Sequence, residues 1–580
     1  MINKYFLIML VSFVSSISAF SQISEGGTPP SFKYQNTTRS ISSSSIINVP
    51  VNLDINRLMW EDEIVEESRD APLRIAKVIP LSVNIDSIGN WTSLSDSVKI
   101  WQQVIYAEGA KGLILSYKDF YIPKGAKLYI YNEDHSRVLG AYTQNTHPQG
   151  GKFASEIIAG DKITLEYVAS TISDEAPRLV IEDIGYVYGD NYNRALRASS
   201  PPTPKINSSQ SCMINVNCPD GDNWKDQKRG VVFYQVKRGG AWSICSGSLV
   251  NNTKRDGTPY LLTASHCFWA NGVVEYETIV VYFHYEFPGC ENEDTFPVTT
   301  KTLVGTDLLV NIPLQGVTAE GVAVQGSDGT LLKLKTNIPL EYKVFFNGWD
   351  TRDVASSSGV VIHHPNGDVK KIVTYLPREG LKNPVTTQTY NGGPGFNGIT
   401  NGFWGVYYDG RSATQGGSSG SSIFNSNGLI VGTLTGGVRT TDYCLTRNSQ
   451  EFFGKFGYHF DHMTDVSMQM KKYLDPINEG TPYLRGYDPN NPLGIEDSVI
   501  ENSTQELVIF PTLADNEVNV NANSIIRSIK VYDMNGRQVY AKSGYNASTT
   551  TISVSSWSKG VYSILVQTES KKLSSKFIKK

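Results

Sequence analysis

Two segments far apart in the sequence carry residues that can do chemistry together. Ser419 lies in the glycine-rich run 415–421, and His266 lies between Ser265 and Cys267. A serine hydroxyl becomes a useful nucleophile when an imidazole takes its proton, and glycines around it leave backbone N–H groups free to face an oxyanion. The order histidine, later acid, then serine, over about 150 residues, therefore predicts a hydrolase.

The acid that would orient the imidazole is not fixed by residue chemistry alone. Such an acid must be buried and hydrogen-bonded to the ring, and both Asp307 and Asp328 lie at a suitable place in the sequence. Asp307 follows a glycine and a threonine and precedes two leucines, whereas Asp328 opens the apolar run 331–334. Both aspartates stay candidates on this evidence.

The composition and the first residues indicate where the chain works. A net charge of −4 and a pI of about 6.1 argue against a nucleic-acid binder. Residues 1–21 combine Lys4, an apolar run over 5–14 and small residues ending at Ser21, which predicts a secretory signal peptide cut after Ser21. That run is too short to span a membrane, and no other stretch is long enough, so we expect no transmembrane segment.

The elements that must position these residues are predicted to be mostly β. Short alternating runs dominate, and a chain of 580 residues should form several domains. All six cysteines lie between Cys212 and Cys444, so an exported chain should hold three disulfides in one domain, although spacing leaves their pairing open. Metal-ligand spacings are absent from the sequence, so neither a metal nor a cofactor is predicted. The adjacent His363 and His364 should point to opposite faces of a strand.

Composition divides the chain into segments. Residues 22–60 are rich in Ser, Thr and Asn and are expected to be irregular, and about 80–190 should form a β-sandwich of jelly-roll type. A Pro/Ser linker over 199–210 then leads into the cysteine-bearing domain, which ends near residue 475. A second linker covers 476–504, and a small separate β-sandwich is predicted for 505–580.

From Cys212 to about Asp475 the chain resembles the lysyl endopeptidases, secreted bacterial proteases of the trypsin-like fold. The segments that carry this resemblance occur in the order of the family: 212–219, 245–253, the His266 motif, 327–334, 348–350, 363–366 and the Ser419 motif. The resemblance implies a chymotrypsin-like double β-barrel with the site in the cleft between the barrels. It also implies the disulfides Cys212–Cys444, Cys218–Cys290 and Cys245–Cys267.

The resemblance also assigns roles. It favours Asp328 over Asp307 as the acid, which completes a triad with His266 and Ser419. The backbone N–H groups of Gly417 and Ser419 should then stabilise the oxyanion. The implied domain boundaries are 22–205 for a pro-region and 206–475 for the protease.

Two departures from relatives bear on activation and specificity. Ser418 stands where digestive homologues carry an aspartate, so a new N-terminal amine cannot form an ion pair there. Glu451 stands where the family has the aspartate that binds a lysine side chain, and Thr435, before Gly436, replaces a histidine of some relatives. We expect cleavage after basic residues, lysine first. The alternatives are an altered Lys/Arg preference or a Glu451 that is only a solvated surface residue.

The segments on either side of the protease-like region also resemble known domains. Residues about 80–190 look like the pro-domain of these enzymes, and Lys205 offers a bond that the enzyme could cut itself to give a chain starting at Ile206. The last segment resembles the C-terminal sorting domain of the type IX secretion system of Bacteroidetes. It predicts the type IX machinery as a partner, besides protein or peptide substrates, and a secreted or surface-attached enzyme. The alternatives are an adhesive or carbohydrate-binding module at the end, and a catalytically silent binding protein overall.

Overall fold

A computed structural model gives the fold of the protein. It describes these residues: 24–33, 46–68, 72–189, 209–269, 272–292, 301–317, 323–392, 397–437, 442–491, 507–510, 513–522, 524–533, 537–569 and 571–580. The signal peptide with Ser21 and the processing residue Lys205 lie outside these ranges, so both predictions stay untested. The chain forms two compact units, Met1–Pro492 and Leu493–Lys580.

The N-terminal region of the first unit is built from two sheets that share one apolar core. One sheet has the order β1-β4-β10-β6-β7, with β3 paired to β4, and the other contains β2, β11, β5, β8 and β9. Buried residues of both sheets belong to one apolar cluster. The strands of this region are β1 Ile46–Asn48, β2 Leu73–Asn84, β3 Asn90–Ser95, β4 Val98–Tyr106, β5 Gly112–Tyr121, β6 Lys127–Asn132, β7 Val138–Tyr142, β8 Phe153–Ala154, β9 Ile158–Ala159, β10 Lys162–Val168 and β11 Arg178–Val187.

A helix within this region differs from the sequence prediction. Residues 22–60 were expected to be irregular, but helix α1 covers Ile55–Ser68. Asp54 caps it, because its carboxylate accepts a hydrogen bond from the Arg57 amide at 3.0 Å. An ion pair between Arg57 and Glu61 at 3.1 Å supports the first turns.

The cysteine-bearing region has two lobes. The first lobe, defined here as β13–β21, encloses an apolar core of alternating residues such as Val232, Tyr234 and Val236. Its sheet runs β17-β16-β13-β14, and β14 also pairs with β15, which continues to β21 and β18. The strands are β12 Ile214–Asn215, β13 Val231–Arg238, β14 Ala241–Val250, β15 Tyr260–Thr263, β16 Val280–Phe283, β17 Lys301–Val304, β18 Thr306–Ile312, β19 Gln315–Val317, β20 Ala323–Gln325 and β21 Gly329–Leu334.

The second lobe, defined as β22–β30, has its own core around Trp404, Val406 and Phe453. A further apolar cluster, which includes Leu331 and Trp349, joins residues of both lobes. The strands are β22 Trp349–Asp350, β23 Gly359–His363, β24 Lys371–Tyr375, β25 Val385–Gln388, β26 Phe403–Tyr407, β27 Ser422–Asn425, β28 Ile430–Gly436, β29 Gln450–Lys455 and β30 Tyr483–Leu484. The short helices of this region are α2 Gln227–Gly230 and α3 Lys471–Leu474.

The second unit is a small β-structure with a separate core that contains Ile529, Val531 and Ile564. One sheet has the order β31-β33-β36 and the other β32-β38-β37-β34-β35. Its strands are β31 Leu507–Phe510, β32 Leu513–Ala514, β33 Glu517–Ala522, β34 Ile526–Asp533, β35 Gln538–Ser543, β36 Thr549–Ser553, β37 Gly560–Thr568 and β38 Lys572–Lys579. The mostly β fold predicted from the sequence is confirmed. In the parts of the chain that are described, no helix is long and apolar enough to cross a bilayer.

Candidate active site

His266 lies on a short 3₁₀ turn, Ser265–Phe268, directly after β15. The disulfide between Cys245 and Cys267 ties this turn to β14. The histidine is only 4% exposed. The turn is thus fixed by a covalent cross-link at the residue next to the imidazole.

Asp328 binds this histidine through both oxygens of its carboxylate. Its Oδ2 lies 2.7 Å from Nδ1 of His266, and its Oδ1 accepts a hydrogen bond from the backbone N–H of the same residue at 2.9 Å. Asp328 is fully buried, and its φ of 64° lies in the left-handed region. A carboxylate at Nδ1 favours the tautomer with the proton on that nitrogen. Nε2 is then left as a proton acceptor, and it has no hydrogen-bond partner among the described residues.

The structure separates the two candidate acids. Asp307 lies on β18 with its side chain 55% exposed, and it forms an ion pair with Lys335 at 3.2 Å. It makes no hydrogen bond to His266, whose described partner is Asp328. Only Asp328 therefore meets the requirement of burial together with contact to the imidazole.

Ser419 lies in a turn just before β27, on the second lobe. Gly417 and Gly420 flank it with φ values of 89° and 78°, which glycine adopts without strain. A Cβ at Gly417 would lie 3.0 Å from the carbonyl oxygen of His364, so the position also lacks room for a side chain. Within the described residues, neither the Gly417 nor the Ser419 N–H donates a hydrogen bond. Both amides thus remain free to donate to an oxyanion.

Ser246 on β14 connects the nucleophile turn to the first lobe. Its backbone N–H donates to the carbonyl of Ser419 at 2.9 Å, and its hydroxyl donates to the carbonyl of Gly417 at 3.0 Å. The same hydroxyl accepts a hydrogen bond from the backbone N–H of His364 at 3.0 Å. Sequence reasoning missed this residue, because a serine after a cysteine carries no local signal of such contacts.

Ser418 has a partner other than a new N-terminal amine. Its hydroxyl lies 2.7 Å from Nδ1 of His363 and accepts a hydrogen bond from the Gln415 amide at 3.2 Å. His364 instead contacts the carbonyl of Asp368 through Nδ1 at 3.0 Å, so the two adjacent histidines serve different sites. Burial lowers the pKa of His364 well below its usual value.

Glu451 lies on β29, and its strand neighbour Phe452 is paired with Gly436 at the end of β28. The register of the two strands shifts between Leu434 and Gly436, which places Thr435 at a bulge of the kind that re-aims side chains near active sites. Glu451 is 5% exposed, and Thr435 is also buried. This burial argues against the alternative of a solvated surface glutamate.

His459 is a second buried residue that the sequence did not single out. Its Nδ1 lies 2.8 Å from the hydroxyl of Ser327, and its Nε2 lies 2.9 Å from the hydroxyl of Thr433. Burial lowers its pKa to about 4. Ser327 precedes Asp328, so this neutral imidazole supports the turn that carries the buried acid.

The three disulfides have the pairing that the resemblance implied: Cys212–Cys444, Cys218–Cys290 and Cys245–Cys267. Among the described residues there is no group of three or more His, Cys, Asp or Glu side chains that could hold a metal ion.

Comparisons with known proteins match two segments of the chain. Residues 206–454 match the family model described as lysyl endopeptidase, C-terminal domain. This segment is therefore similar to the C-terminal domain of the lysyl endopeptidases. Residues 508–580 match the model described as secretion system C-terminal sorting domain. The sorting domain indicates export, so the protein is secreted or displayed at the cell surface.

Similar solved structures are proteases. One is the Rv3671c protease from M. tuberculosis in its active form, at 13% identity over 48% of this chain and 94% of that chain, with a TM-score of 0.29. Another is the thermostable serine protease AL20 from an extremophilic microorganism, at 15% identity over 40% of this chain and 95% of that chain, with a TM-score of 0.27.

Proposed function

We propose that the protein is a secreted serine endopeptidase that hydrolyses peptide bonds after basic residues, with lysine preferred. The observation that carries the proposal is the contact of both Asp328 oxygens with His266, which leaves Nε2 as a buried proton acceptor. A serine protease is also what the family of residues 206–454 supports.

In the proposed reaction, Ser419 Oγ attacks the carbonyl carbon of the scissile bond while its proton passes to His266 Nε2. Asp328 stabilises the imidazolium that forms, and the Gly417 and Ser419 amides donate to the oxyanion. His266 then gives the proton to the leaving amine, which leaves an acyl-enzyme on Ser419. A water molecule, deprotonated by His266, attacks the ester carbonyl carbon. The bond between this carbon and Ser419 Oγ then breaks as His266 returns the proton to Oγ, which releases the carboxylic acid product and restores the enzyme.

The lysine preference rests on Glu451. A buried carboxylate favours a cationic side chain in a charge-assisted hydrogen bond, and the family resemblance assigns this position to the bottom of the primary pocket. The glutamate is one methylene longer than the aspartate of relatives. Cleavage after both lysine and arginine is therefore the alternative outcome of a peptide-library cleavage assay.

A peptide-library cleavage assay with Ser419→Ala tests the proposal. The variant should lose activity by a factor on the order of 10⁵–10⁶ while its fold is retained. Ser421→Ala is the matched control, because its buried hydroxyl lies in the same turn and has no hydrogen-bond partner in the described part of the chain. Near wild-type turnover by Ser419→Ala would refute the mechanism, and a wild-type enzyme without activity on any peptide would favour a silent binding protein.

A further inference from the structure

The N-terminal region adds a strand to the first lobe of the protease domain. Strand β2 pairs antiparallel with β14, with Lys77 opposite Ala241 and Leu73 opposite Ile244. The amide of Val78 also donates to a carbonyl of the protease domain at 3.1 Å. One edge of β14 pairs with β13 over residues 241–248. On the other edge β15 pairs with residues 248–250 and β2 with residues 241–244, so β2 joins two otherwise separate sheets into one.

Apolar side chains bury this junction. Trp242 of β14 is fully buried and belongs to the same apolar cluster as the core of the N-terminal region. The cluster also contains Phe233 and Val280 from the outer face of the first lobe. Gly185 on β11 provides the space for the indole, since a Cβ there would lie 2.7 Å from Cδ1 of Trp242.

A buried charge cluster crosses the same junction. Nζ of Lys237 on β13 lies 2.6 Å from Oδ2 of Asp183 on β11 and 2.9 Å from Oε1 of Glu275. The Lys237 side chain is only 8% exposed. Burial acts to lower its pKa, but the hydrogen bonds to the two carboxylates outweigh burial and raise it. Separation of the two regions would leave Asp183 without its cation, which is costly for a desolvated pair.

The described hydrogen bonds across the junction do not involve the catalytic residues. Its hydrogen bonds continue with the side-chain amide of Gln235, which donates to the carbonyl of Ser155 at 3.0 Å. Within the described residues, none of His266, Asp328 and Ser419 forms a hydrogen bond to the N-terminal region.

We propose that the outer face of the first lobe is a binding site for the chain's own residues 46–189, and that this fragment stays bound after the chain is cut within 190–208. Strand addition at β14 gives the affinity, because main-chain hydrogen bonds extend an existing sheet. The fit of Trp242 over Gly185 and the charge cluster give the specificity. The pro-region is then a bound subunit on the outer face of the protease rather than a plug of its cleft.

The test uses the full chain with Ser419→Ala and a recognition sequence for a site-specific protease inserted between residues 200 and 201. After complete cleavage, the two pieces should elute together in gel filtration at about micromolar concentration. The amide of Val78 should keep the slow hydrogen exchange that it has in the uncut chain. Separation of two folded pieces, or fast exchange at Val78 after the cut, would overturn the proposal.

Two matched pairs of variants locate the contact. Gly185→Ala should weaken the association at least tenfold because the new methyl group meets Trp242, whereas Gly189→Ala should leave it unchanged, since no heavy atom lies within 4 Å of a Cβ there. Lys237→Gln should weaken it by about thirtyfold or more. Lys471→Gln is its control, because that lysine pairs with Asp461 at the surface of the protease domain.

The double variant Gly185→Ala/Trp242→Leu distinguishes a loss of the contact with Trp242 from misfolding of the N-terminal region. Because leucine is smaller than tryptophan, it should restore part of the association lost in Gly185→Ala, so that the two effects are not additive. The proposal would be contradicted if Gly185→Ala and Gly189→Ala weakened the association equally. It would also be contradicted if the effects of Gly185→Ala and Trp242→Leu on the association simply added in the double variant.

Discussion

At the scale of single residues, the site depends on which polar groups are buried together. The carboxylate of Asp328 is fully buried and is matched by two N–H groups of His266, so its charge is compensated within one residue. Glu451 is buried on the other lobe, close to Gly436 at the end of β28. The proposed role of this carboxylate is a charge-assisted hydrogen bond to a cationic substrate side chain.

Glu451→Gln should lower kcat/KM for peptides with lysine or arginine before the scissile bond by a factor on the order of a hundred, because the charge-assisted hydrogen bond is lost. Acylation by a small non-specific ester should be almost unchanged. Glu479→Gln is the control, since that glutamate forms only a surface ion pair with Arg255 at 3.5 Å. An equal loss on both substrate types would show that Glu451 supports the fold instead.

His459 predicts a pH dependence of stability. Its folded-state pKa of about 4 lies below the ordinary value of 6.5, so protonation favours the unfolded chain. The contribution of His459 to the free energy of unfolding is therefore fully present above pH 6.5. It falls by about 3 kcal/mol as the pH decreases from 6.5 to 4. Urea unfolding of the wild type and of His459→Asn at pH 7 and 4.5 measures this loss of stability.

His459→Asn should be less stable than wild type at pH 7, but should lose less on acidification. Burial also lowers the pKa of His284 and His364, so the comparison between the two proteins is the diagnostic quantity. Parallel losses of stability in wild type and variant would show that the pKa of His459 is the same in the folded and the unfolded chain.

At the scale of elements, β14 links the functional parts of the protease domain. It pairs with β2 at one end, carries the disulfide to Cys267 in its middle, and holds the turn of Ser419 through Ser246. The backbone amides of Gly417 and Ser419, which we propose stabilise the oxyanion, lie in this turn. Their position is therefore set partly from the first lobe, across the cleft.

Ser246→Ala should lower kcat about tenfold with KM nearly unchanged, because the carbonyl of Gly417 loses its donor and the amides that bind the oxyanion become less well positioned. Ser248→Ala is the matched control: it is buried on the same strand, and its hydroxyl has no hydrogen-bond partner in the described ranges. Steady-state kinetics on one lysine-containing peptide distinguish the two variants. The same kcat for both would exclude a role for the Ser246 hydroxyl in positioning.

The difference between local and long-range signals explains how much could be predicted. The motifs around His266 and Ser419 and the β-rich character are local in sequence, and they were recognised. Helix α1 was missed because its pattern is weak: among its described side chains only Leu58 is buried. Residue chemistry alone left Asp307 and Asp328 open, and only the family resemblance favoured Asp328. The pairing of β2 with β14 depends on contacts between distant segments that no local pattern encodes.

At the scale of the whole molecule, catalysis and export belong to separate units. The protease domain lies in the unit that ends at Pro492, and the sorting domain lies in the unit that begins at Leu493. The second unit has an apolar core of its own, with Ile529 and Ile564 among its members. Removal of one unit should therefore leave the core of the other intact.

A chain that ends at Pro492 should retain full peptidase activity when purified, and should fail to leave a host with type IX secretion. The reason is that the sorting domain carries the export signal, whereas His266, Asp328, Ser419 and Glu451 all belong to the first unit. Activity in the medium and in the cell fraction of the same culture measures both effects. A fluorescent carrier fused to residues 493–580 is the reciprocal control and should be exported. Export of the shortened chain at the wild-type level would show that another part of the molecule carries the signal, and loss of activity after purification would show that the protease depends on the second unit.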